Sequence, residues 1–261
     1  MKSIGEILTP IILEAGKIIK SAHADEERDV TEKGSAANFV TVYDVKIQEF
    51  LISEIKKAIP SAYFVAEEKE NDEGALDHEY CFIIDPIDGT ANFVHDLHAS
   101  AISVGVYSYR KPLFGAVCNP YLDELFTAEI GKGAYLNGKP IKVSDRSLDH
   151  AIVNFGTSPY YKESLADRTF DLAKRFFLSC SDIRRCGSAA IALSNIASGR
   201  TDIFLECILS PWDIAAGAIL IEEAGGTITD MEGKPIDFSR PSPVLATNRR
   251  LAKEALELIN K

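Results

Sequence analysis

A short apolar run, Tyr80-Cys81-Phe82-Ile83-Ile84, leads directly into Asp85-Pro86-Ile87-Asp88-Gly89-Thr90. An apolar run bounded by turn residues predicts a buried strand that ends at Asp85, and Pro86 and Gly89 predict a tight turn after it. Such a turn would hold the carboxylates of Asp85 and Asp88 close together, where they repel each other unless a cation or proton lies between them. Hard cations such as Mg²⁺ prefer oxygen ligands. The stretch is therefore typical of a metal site, although an ordinary Asp-Gly turn can have the same sequence.

The size and charge of the chain exclude some functions and leave others open. A chain of 261 residues can form one large domain or two closely packed halves. The net charge of −11 argues against a nonspecific nucleic-acid binder and against binding to anionic membranes. It permits a small phosphorylated substrate, because bound metal ions reverse the local field. The five cysteines follow no CxxC or zinc pattern, and no apolar run is long enough to span a bilayer. These features predict a cytoplasmic protein.

Hydrophobic periodicity predicts an α/β fold, built as a layered α+β sandwich in two halves. In residues 1–144, two long helices (4–20 and 41–60) and a polar, exposed loop (23–38) accompany a mainly antiparallel sheet with strands at 62–66, 80–85, 100–109, 113–118, 123–129 and 134–136. In residues 145–261, helices and strands alternate, which predicts a mixed or parallel sheet covered by helices. The helices are expected near 161–177, 188–198, 211–225 and 249–259, and the strands near 181–186, 201–206, 226–229 and 243–247.

Two further stretches could contribute carboxylates to the same site. Glu67 and Glu68 follow a predicted strand, although an acidic run is more often a solvated loop. Ser210 and Pro211 fit the N-cap and first position of a helix, with Asp213 at the third position, where a carboxylate favours the helix dipole. In that position Asp213 also points towards whatever lies before the helix, so capping and metal binding are compatible. Trp212 is expected to pack between layers.

Small residues mark a possible ligand-facing helix start at Gly187-Ser188-Ala189. Ser188 is an ordinary N-cap residue, but small residues also let an anionic or hydroxyl-rich ligand approach the start of the helix. Thr90 is interpreted either as a cap of a short helix or as the residue that holds a nucleophilic water. His95 and His98 are interpreted as structural residues, because a site for hard cations prefers oxygen ligands.

Together these stretches resemble the inositol monophosphatase family of Mg²⁺-dependent, lithium-sensitive phosphatases, over nearly the whole chain. The resemblance rests on Glu67-Glu68 after a strand, on Asp85 to Thr90, and on Trp212 to Gly217 followed by Glu223-Ala224-Gly225-Gly226. Weaker support comes from the segment between Lys33 and Asp44 and from Gly187-Ser188-Ala189. The resemblance implies the inositol monophosphatase and sugar phosphatase fold, and a homodimer.

The resemblance also implies a site with two to three Mg²⁺ ions. Glu67, Asp85 and the Ile87 carbonyl would hold the first ion, and Asp85, Asp88 and Asp213 the second. Glu67 would reach a third, weaker ion through waters near the loop that contains Lys33. Thr90 and Asp44, with Glu67, would form the catalytic set that orients and deprotonates the attacking water. The substrate would contact Asp88, Gly89, Thr90, Gly187, Ser188, Ala189, Glu206 and Asp213.

The implied reaction is hydrolysis of inositol monophosphate, or of a similar small polyol or sugar phosphate, by a water that the metal ions activate. Fructose 1,6-bisphosphate stays open as a substrate because Arg184 and Arg185 could bind a second phosphate, or could instead form salt bridges at a subunit contact. A 3′-phosphorylated adenosine nucleotide is the third candidate, and a non-catalytic, partner-binding member of the fold is the alternative from another class. The chain departs from the family pattern at two positions, with Ala66 in place of glycine and Asn38 in place of an acidic residue. Both departures concern the geometry of the loop and the affinity for the third ion.

Overall fold

Two large β-sheets and the α-helices packed against them make up most of the fold. The structure is a computed structural model and describes residues 2–22, 30–32, 39–68 and 71–261. In these ranges the helices are α1 (Ile4–Ala22), α2 (Val42–Ala58), α3 (Thr90–Val94), α4 (Lys162–Phe177), α5 (Ala189–Ala197), α6 (Pro211–Glu223) and α7 (Ala252–Ile259). The strands are β1 (Val30–Glu32), β2 (Phe39–Thr41), β3 (Tyr63–Ala66), β4 (Cys81–Asp88), β5 (Ala101–Ser108), β6 (Lys111–Asn119), β7 (Glu124–Glu129), β8 (Gly133–Leu136), β9 (Lys139–Ile141), β10 (Ile152–Phe155), β11 (Asp182–Arg184), β12 (Ile203–Leu209), β13 (Thr227–Thr229) and β14 (Ser242–Thr247).

The two sheets differ in strand direction, as the sequence predicted. The larger sheet has the order β3-β4-β5-β6-β7-β8-β9, and its strands are antiparallel except for the parallel pair β3 and β4. The smaller sheet has the order β11-β10-β12-β14-β13. In it β10 runs parallel to β11 and β12, whereas β14 is antiparallel to both of its neighbours. The predicted α/β class, with one mainly antiparallel and one mixed sheet, is confirmed.

The helices and sheets stack in alternating layers. Helices α1 and α2 cover one face of the larger sheet, α5 and α6 lie between the two sheets, and α4 and α7 cover the outer face of the smaller sheet. Strand β4 is therefore buried on both faces: Phe82 and Ile84 pack in the core formed with α1 and α2, while Cys81 and Ile83 pack in the core formed with α5 and α6. Burial on both faces explains why the first four residues of this strand are all apolar rather than alternating.

Helix α6 packs against β5 and β6 at unusually short range because small residues line the contact. A Cβ atom at Gly105 would lie 2.8 Å from the Ala215 Cβ, and one at Gly115 would lie 2.6 Å from the Ala216 carbonyl oxygen. On the opposite side of α6, a Cβ at Gly217 would overlap the side chain of Leu193 in α5. The small residues after Trp212 thus set the depth at which the helix sits between the sheets.

The prediction that the strand ends at Asp85 was wrong, because β4 continues to Asp88 through an irregular segment. Asp85 pairs with Ser103 and Asp88 pairs with Ala101, with a shift of register between them. Pro86 lies within this bulge, where its missing N–H breaks no regular ladder bond. The bulge, rather than a hairpin-like turn, sets the positions of the two aspartates.

Two short strands and one segment of the predicted loop also differ from expectation. Strands β9 and β10 have three and four residues and were not predicted. Strand β1 lies inside the segment 23–38 that was predicted to be a loop, and the rest of that segment, with Lys33 and Asn38, lies outside the described residues. The chain passes from the larger to the smaller sheet between β9 and β10, and the division into halves at residue 144 stays a prediction.

None of the helices in the described ranges is long and apolar enough to cross a membrane.

The substitution Gly115→Ala should destabilise the protein, because the added methyl would collide with the backbone of α6 rather than with a movable side chain. We expect a loss of about 1–3 kcal/mol in the free energy of unfolding, measured by urea denaturation. Gly16→Ala is the matched control in α1, where the added Cβ would meet the Cys118 sulfur at 3.3 Å. An unchanged free energy of unfolding in Gly115→Ala would show that α6 can move away from the sheet at little cost.

Candidate active site

Three aspartates from two elements, of which Asp85 and Asp88 are buried and Asp213 is half-buried, converge at one end of the layered core. Asp85 and Asp88 come from the bulge in β4, and Asp213 is the third residue of α6. One carboxylate oxygen from each lies within 4.8 Å of the other two. Ser210 is the N-cap of α6, as predicted, and its N–H donates to Asp213 Oδ2 at 2.7 Å in a capping box that fixes this carboxylate at the helix start. Asp85 and Asp88 are 1% and 7% exposed.

The charges of this cluster oppose one another. Burial, followed by the negative charges of Glu67, Asp88 and Asp213, raises the pKa of Asp85 well above its ordinary value. Burial, Asp88 and Glu67 raise the pKa of Asp213 in the same way. All the converging groups are carboxylates, and several negative charges in a buried place require a compensating cation or proton. The donor set therefore fits a hard, oxygen-preferring divalent cation.

Asp88 is held by the start of α5. The Ser188 hydroxyl and the Ala190 N–H, the latter at 2.7 Å, both donate to Asp88 Oδ2. These hydrogen bonds oppose the effect of burial, and the pKa of Asp88 is raised to about 6. Ser188 is the N-cap of α5, as predicted, because its hydroxyl accepts from the Ile191 N–H at 3.2 Å. The same residue thus caps a helix and orients a carboxylate of the cluster.

Gly89 allows the β4 bulge to approach the start of α5. Its φ of +87° lies in the left-handed region, and a Cβ there would lie 3.1 Å from the Gly187 carbonyl oxygen and 3.2 Å from the Ser188 Cβ. The Asn92 amide also donates to the Cys186 carbonyl at 2.8 Å. The two glycine-containing segments, distant in sequence, are therefore in contact beside Asp88.

Thr90 and Asp44 form a hydrogen-bonded pair below the cluster. The Thr90 hydroxyl lies 3.3 Å from Asp44 Oδ1 and 3.1 Å from the Ile87 carbonyl oxygen, and its single proton can serve one acceptor at a time. The Thr41 N–H donates to Asp44 Oδ2 at 2.8 Å within the capping box of α2. Asp44 is fully buried, and burial raises its pKa to about 6. This geometry would allow a proton to pass from Thr90 towards a basic carboxylate.

The cavity next to the cluster has a volume of about 370 Å³. Asp44 is buried below it and reaches it through Thr90. The structure brings every other predicted site residue to the cavity wall, namely Glu67, Asp85, Ile87, Asp88, Gly89, Thr90, Gly187, Ser188, Ala189, Glu206 and Asp213.

Glu206 reaches the cavity from β12 and is held by the segment after β10. The Ser158 N–H donates to Glu206 Oε1 at 2.7 Å, and a Cβ atom at Gly156 would overlap the carboxylate. Burial and the charge of Asp88 raise the pKa of Glu206 to about 7, although Arg185 and the bonds from Ser158 act in the opposite direction.

Residues that the sequence did not single out also line the cavity. Gly156, Ser158 and Tyr160 lie in the segment that follows the unpredicted strand β10. Because β10 was not predicted, the sequence analysis placed no site residues in the segment after it. A Gly-x-Ser-Pro turn was the available signal, but it is common in ordinary loops.

The two arginines have different surroundings. Arg185 lines the cavity and donates from Nε to the Thr157 hydroxyl at 3.3 Å. Arg184 bonds to the Asp182 carboxylate and to the Ile183 carbonyl oxygen.

Trp212 packs against the central core, as expected, and also lines the cavity. His95 and His98 are exposed and do not line it.

Comparisons with known proteins identify the family of this chain. The family model for the inositol monophosphatase family matches residues 1–261. Inositol monophosphatase 3 of Solanum lycopersicum is 36% identical over 252 residues, which cover 95% of this chain and 93% of that protein. Nus factor SuhB of Escherichia coli (strain K12) is 36% identical over 245 residues, which cover 93% and 90%. The crystal structure of extragenic suppressor protein suhB from Bartonella henselae has a TM-score of 0.92 at 32% identity, and the match covers 100% of this chain and 99% of that one. The chain therefore belongs to the inositol monophosphatase family, a family of metal-dependent phosphatases.

Proposed function

We propose that this protein is a Mg²⁺-dependent phosphomonoesterase that hydrolyses inositol monophosphate, or a similar small polyol or sugar phosphate, by attack of water. The observation that carries the proposal is the convergence of Asp85, Asp88 and Asp213, with carboxylate oxygens within 4.8 Å of one another, above the hydrogen-bonded pair Thr90 and Asp44. The curated relative from Solanum lycopersicum is named an inositol monophosphatase, which supports the choice of substrate.

In this proposal the carboxylates hold two to three Mg²⁺ ions. Glu67, Asp85 and the Ile87 carbonyl would hold the first, and Asp85, Asp88 and Asp213 the second. When bound, such ions neutralise the phosphate dianion, lower the pKa of water and stabilise the leaving oxygen. The charges of the carboxylates and two divalent ions roughly cancel, which permits an anionic substrate to enter an otherwise acidic cavity.

Thr90 and Asp44 supply the proton path. A threonine hydroxyl that donates to Asp44 keeps lone pairs with which it can accept a hydrogen bond from the attacking water. If the Ile87 carbonyl is a metal ligand, its competition for the Thr90 proton weakens, and the hydroxyl donates to Asp44 instead. Asp44, whose pKa burial raises to about 6, is then basic enough to share the proton as the water attacks.

The opposite part of the cavity would hold the alcohol portion of the substrate. Glu206 and the start of α5 at Gly187, Ser188 and Ala189 offer acceptors and close backbone approach for hydroxyl groups. Gly89 and Thr90 would present amides to the phosphate. Arg185 at the cavity wall keeps a bisphosphate open as an alternative substrate, whereas Arg184 is engaged by Asp182. We retain the homodimer and the cytoplasmic location as expectations.

A partner-binding role without catalysis is the second candidate function. It is favoured by one finding, namely that the Escherichia coli relative is named a Nus factor. The carboxylate cluster and the Thr90–Asp44 pair count against a purely non-catalytic role, because a binding surface has no need of buried, mutually repelling acids.

Phosphate release from a panel of substrates tests the proposed activity. We expect inositol 1-phosphate to be preferred over fructose 1,6-bisphosphate and 3′-phosphoadenosine 5′-phosphate, only when Mg²⁺ is present, and Li⁺ to inhibit release. Preference for the bisphosphate would identify Arg185 as the next residue to replace. If none of the three is hydrolysed while Mg²⁺ binding is detected by calorimetry, the partner-binding role is supported instead.

The variant Asp85→Asn should separate stability from activity. We expect phosphate release to fall roughly 1000-fold or more, about 4 kcal/mol of transition-state stabilisation. Without Mg²⁺ the variant should unfold at the same or a higher temperature than the wild type, because one of the repelling charges is removed while an acceptor for the Ile87 N–H is kept. Asp149→Asn, at an exposed carboxylate, is the control and should retain activity. Wild-type turnover in Asp85→Asn would exclude the assignment.

The variant Glu206→Gln tests the buried carboxyl group through the pH dependence of stability. Burial raises the pKa of Glu206 from 4.5 to about 7, so in metal-free wild type this group stabilises the fold fully below pH 4.5. The stabilisation is lost as pH rises to 7, by up to about 1.4 kcal/mol per pH unit. Glutamine does not titrate and still accepts from Ser158, so the variant should gain stability relative to wild type across this window. Parallel curves from urea denaturation at pH 4.5–7.5 would contradict the assigned pKa.

A further inference from the structure

Tyr160 lies in a short segment that is fixed to the cavity wall at several points. The Ser158 N–H donates to Glu206 Oε1 at 2.7 Å, and the Ser158 hydroxyl contacts the Ile208 N–H and carbonyl oxygen at 3.3 and 3.2 Å. Arg185 donates to the Thr157 hydroxyl from the other side. The Tyr161 N–H closes a turn on the Ser158 carbonyl at 2.9 Å. The segment is thus held in one position relative to the cavity.

The backbone of this segment is strained where it is held. Ser158 has a φ of +42°, in the left-handed region that a residue with a Cβ seldom occupies. Such strain persists only where the surroundings impose it, and it is concentrated at functional sites. Here the contacts of Ser158 with Glu206 and Ile208 impose it, and the result is that Tyr160 is directed to the cavity.

Tyr160 lines the same cavity as the carboxylate cluster. The side chain lines the cavity and is 53% exposed overall, yet burial is the largest cause of its raised pKa. The charges of Glu67, Asp213, Asp85 and Asp88 raise this pKa further. The phenol O–H is a hydrogen-bond donor at the wall of this cavity. Among the described residues, no side chain or backbone group forms a hydrogen bond with this hydroxyl.

We propose that Tyr160 is a phosphoryl-binding residue, whose phenol O–H donates a hydrogen bond to an oxygen of the phosphate group bound beside Asp85, Asp88 and Asp213. This inference rests on the proposed function, because it takes the ligand of the cluster to be a phosphate ester. A fixed donor at the wall of the cavity that holds the acidic cluster is complementary to an anion held there by cations. The contact adds a neutral donor beside the carboxylates, and it requires no further cation.

The test compares Tyr160→Phe and Tyr160→Ala with wild type in the presence of Mg²⁺. Inorganic phosphate is the probe, its dissociation constant is measured by calorimetry, and kcat/KM is measured for inositol 1-phosphate. We expect Tyr160→Phe to weaken phosphate binding roughly 10-fold, the loss typical of a hydrogen bond to a charged group, and to lower kcat/KM by a similar factor. Tyr160→Ala should lose at least as much. Tyr109→Phe makes the same chemical change at an exposed tyrosine in the turn between β5 and β6 and should match wild type.

Each outcome separates this inference from the proposed function. If wild type hydrolyses none of the substrates but Tyr160→Phe still weakens phosphate binding, the proposed activity fails and the phosphate contact stands. If wild type is active and phosphate binds Tyr160→Phe within twofold of wild type, the inference is overturned. A rise in KM for inositol 1-phosphate with unchanged phosphate affinity also overturns it, because the phenol would then contact the alcohol portion. Melting temperatures without phosphate, expected to equal that of wild type, exclude loss of folding as the cause.

Discussion

Mutual repulsion among clustered carboxylates is the constraint on which this structure depends. Asp85, Asp88 and Asp213 are drawn together from two elements, although burial and each other's charge raise the free energy of their ionised forms. A fold tolerates such a cluster only if the rest of the core supplies enough stability. It does so here by burying β4 on both faces and by enclosing α6 between two sheets. The layered core is therefore stable enough to hold a negatively charged cluster that only a cation or protons can neutralise.

Close packing of α6 against the larger sheet fixes the positions of the clustered carboxylates. Asp213 can be positioned opposite the β4 bulge because α6 approaches the sheet over Gly105 and Gly115, where the sheet contributes no side chain. Hydrogen bonds from the starts of α5 and α6 then hold Asp88 and Asp213 in single orientations. These donors also lower the cost of the buried charges, since hydrogen bonds to a carboxylate favour its ionised form. The starts of α5 and α6 thus belong to the packed fold and also orient the carboxylates of the cavity.

The opposite wall of the cavity is held by polar contacts rather than by packing in the core. It is made by β12 and by the segment after β10, where Ser158 donates to Glu206 and Arg185 donates to Thr157. Such a wall can vary among relatives without disturbing the carboxylates, because it depends on a few hydrogen bonds rather than on the layered core.

The sequence alone determined the fold class, the helix start at Ser210 and the acidic stretch after Ile84, because each depends on local periodicity or capping within a few residues. The resemblance of those stretches to a known family predicted the site residues that line the cavity. Only the tertiary structure decided that β4 passes through a bulge to Asp88, that Tyr160 lines the cavity, and that Arg185 rather than Arg184 reaches it. These features depend on contacts between segments far apart in the chain, and strands as short as β10 carry too little pattern to reveal them.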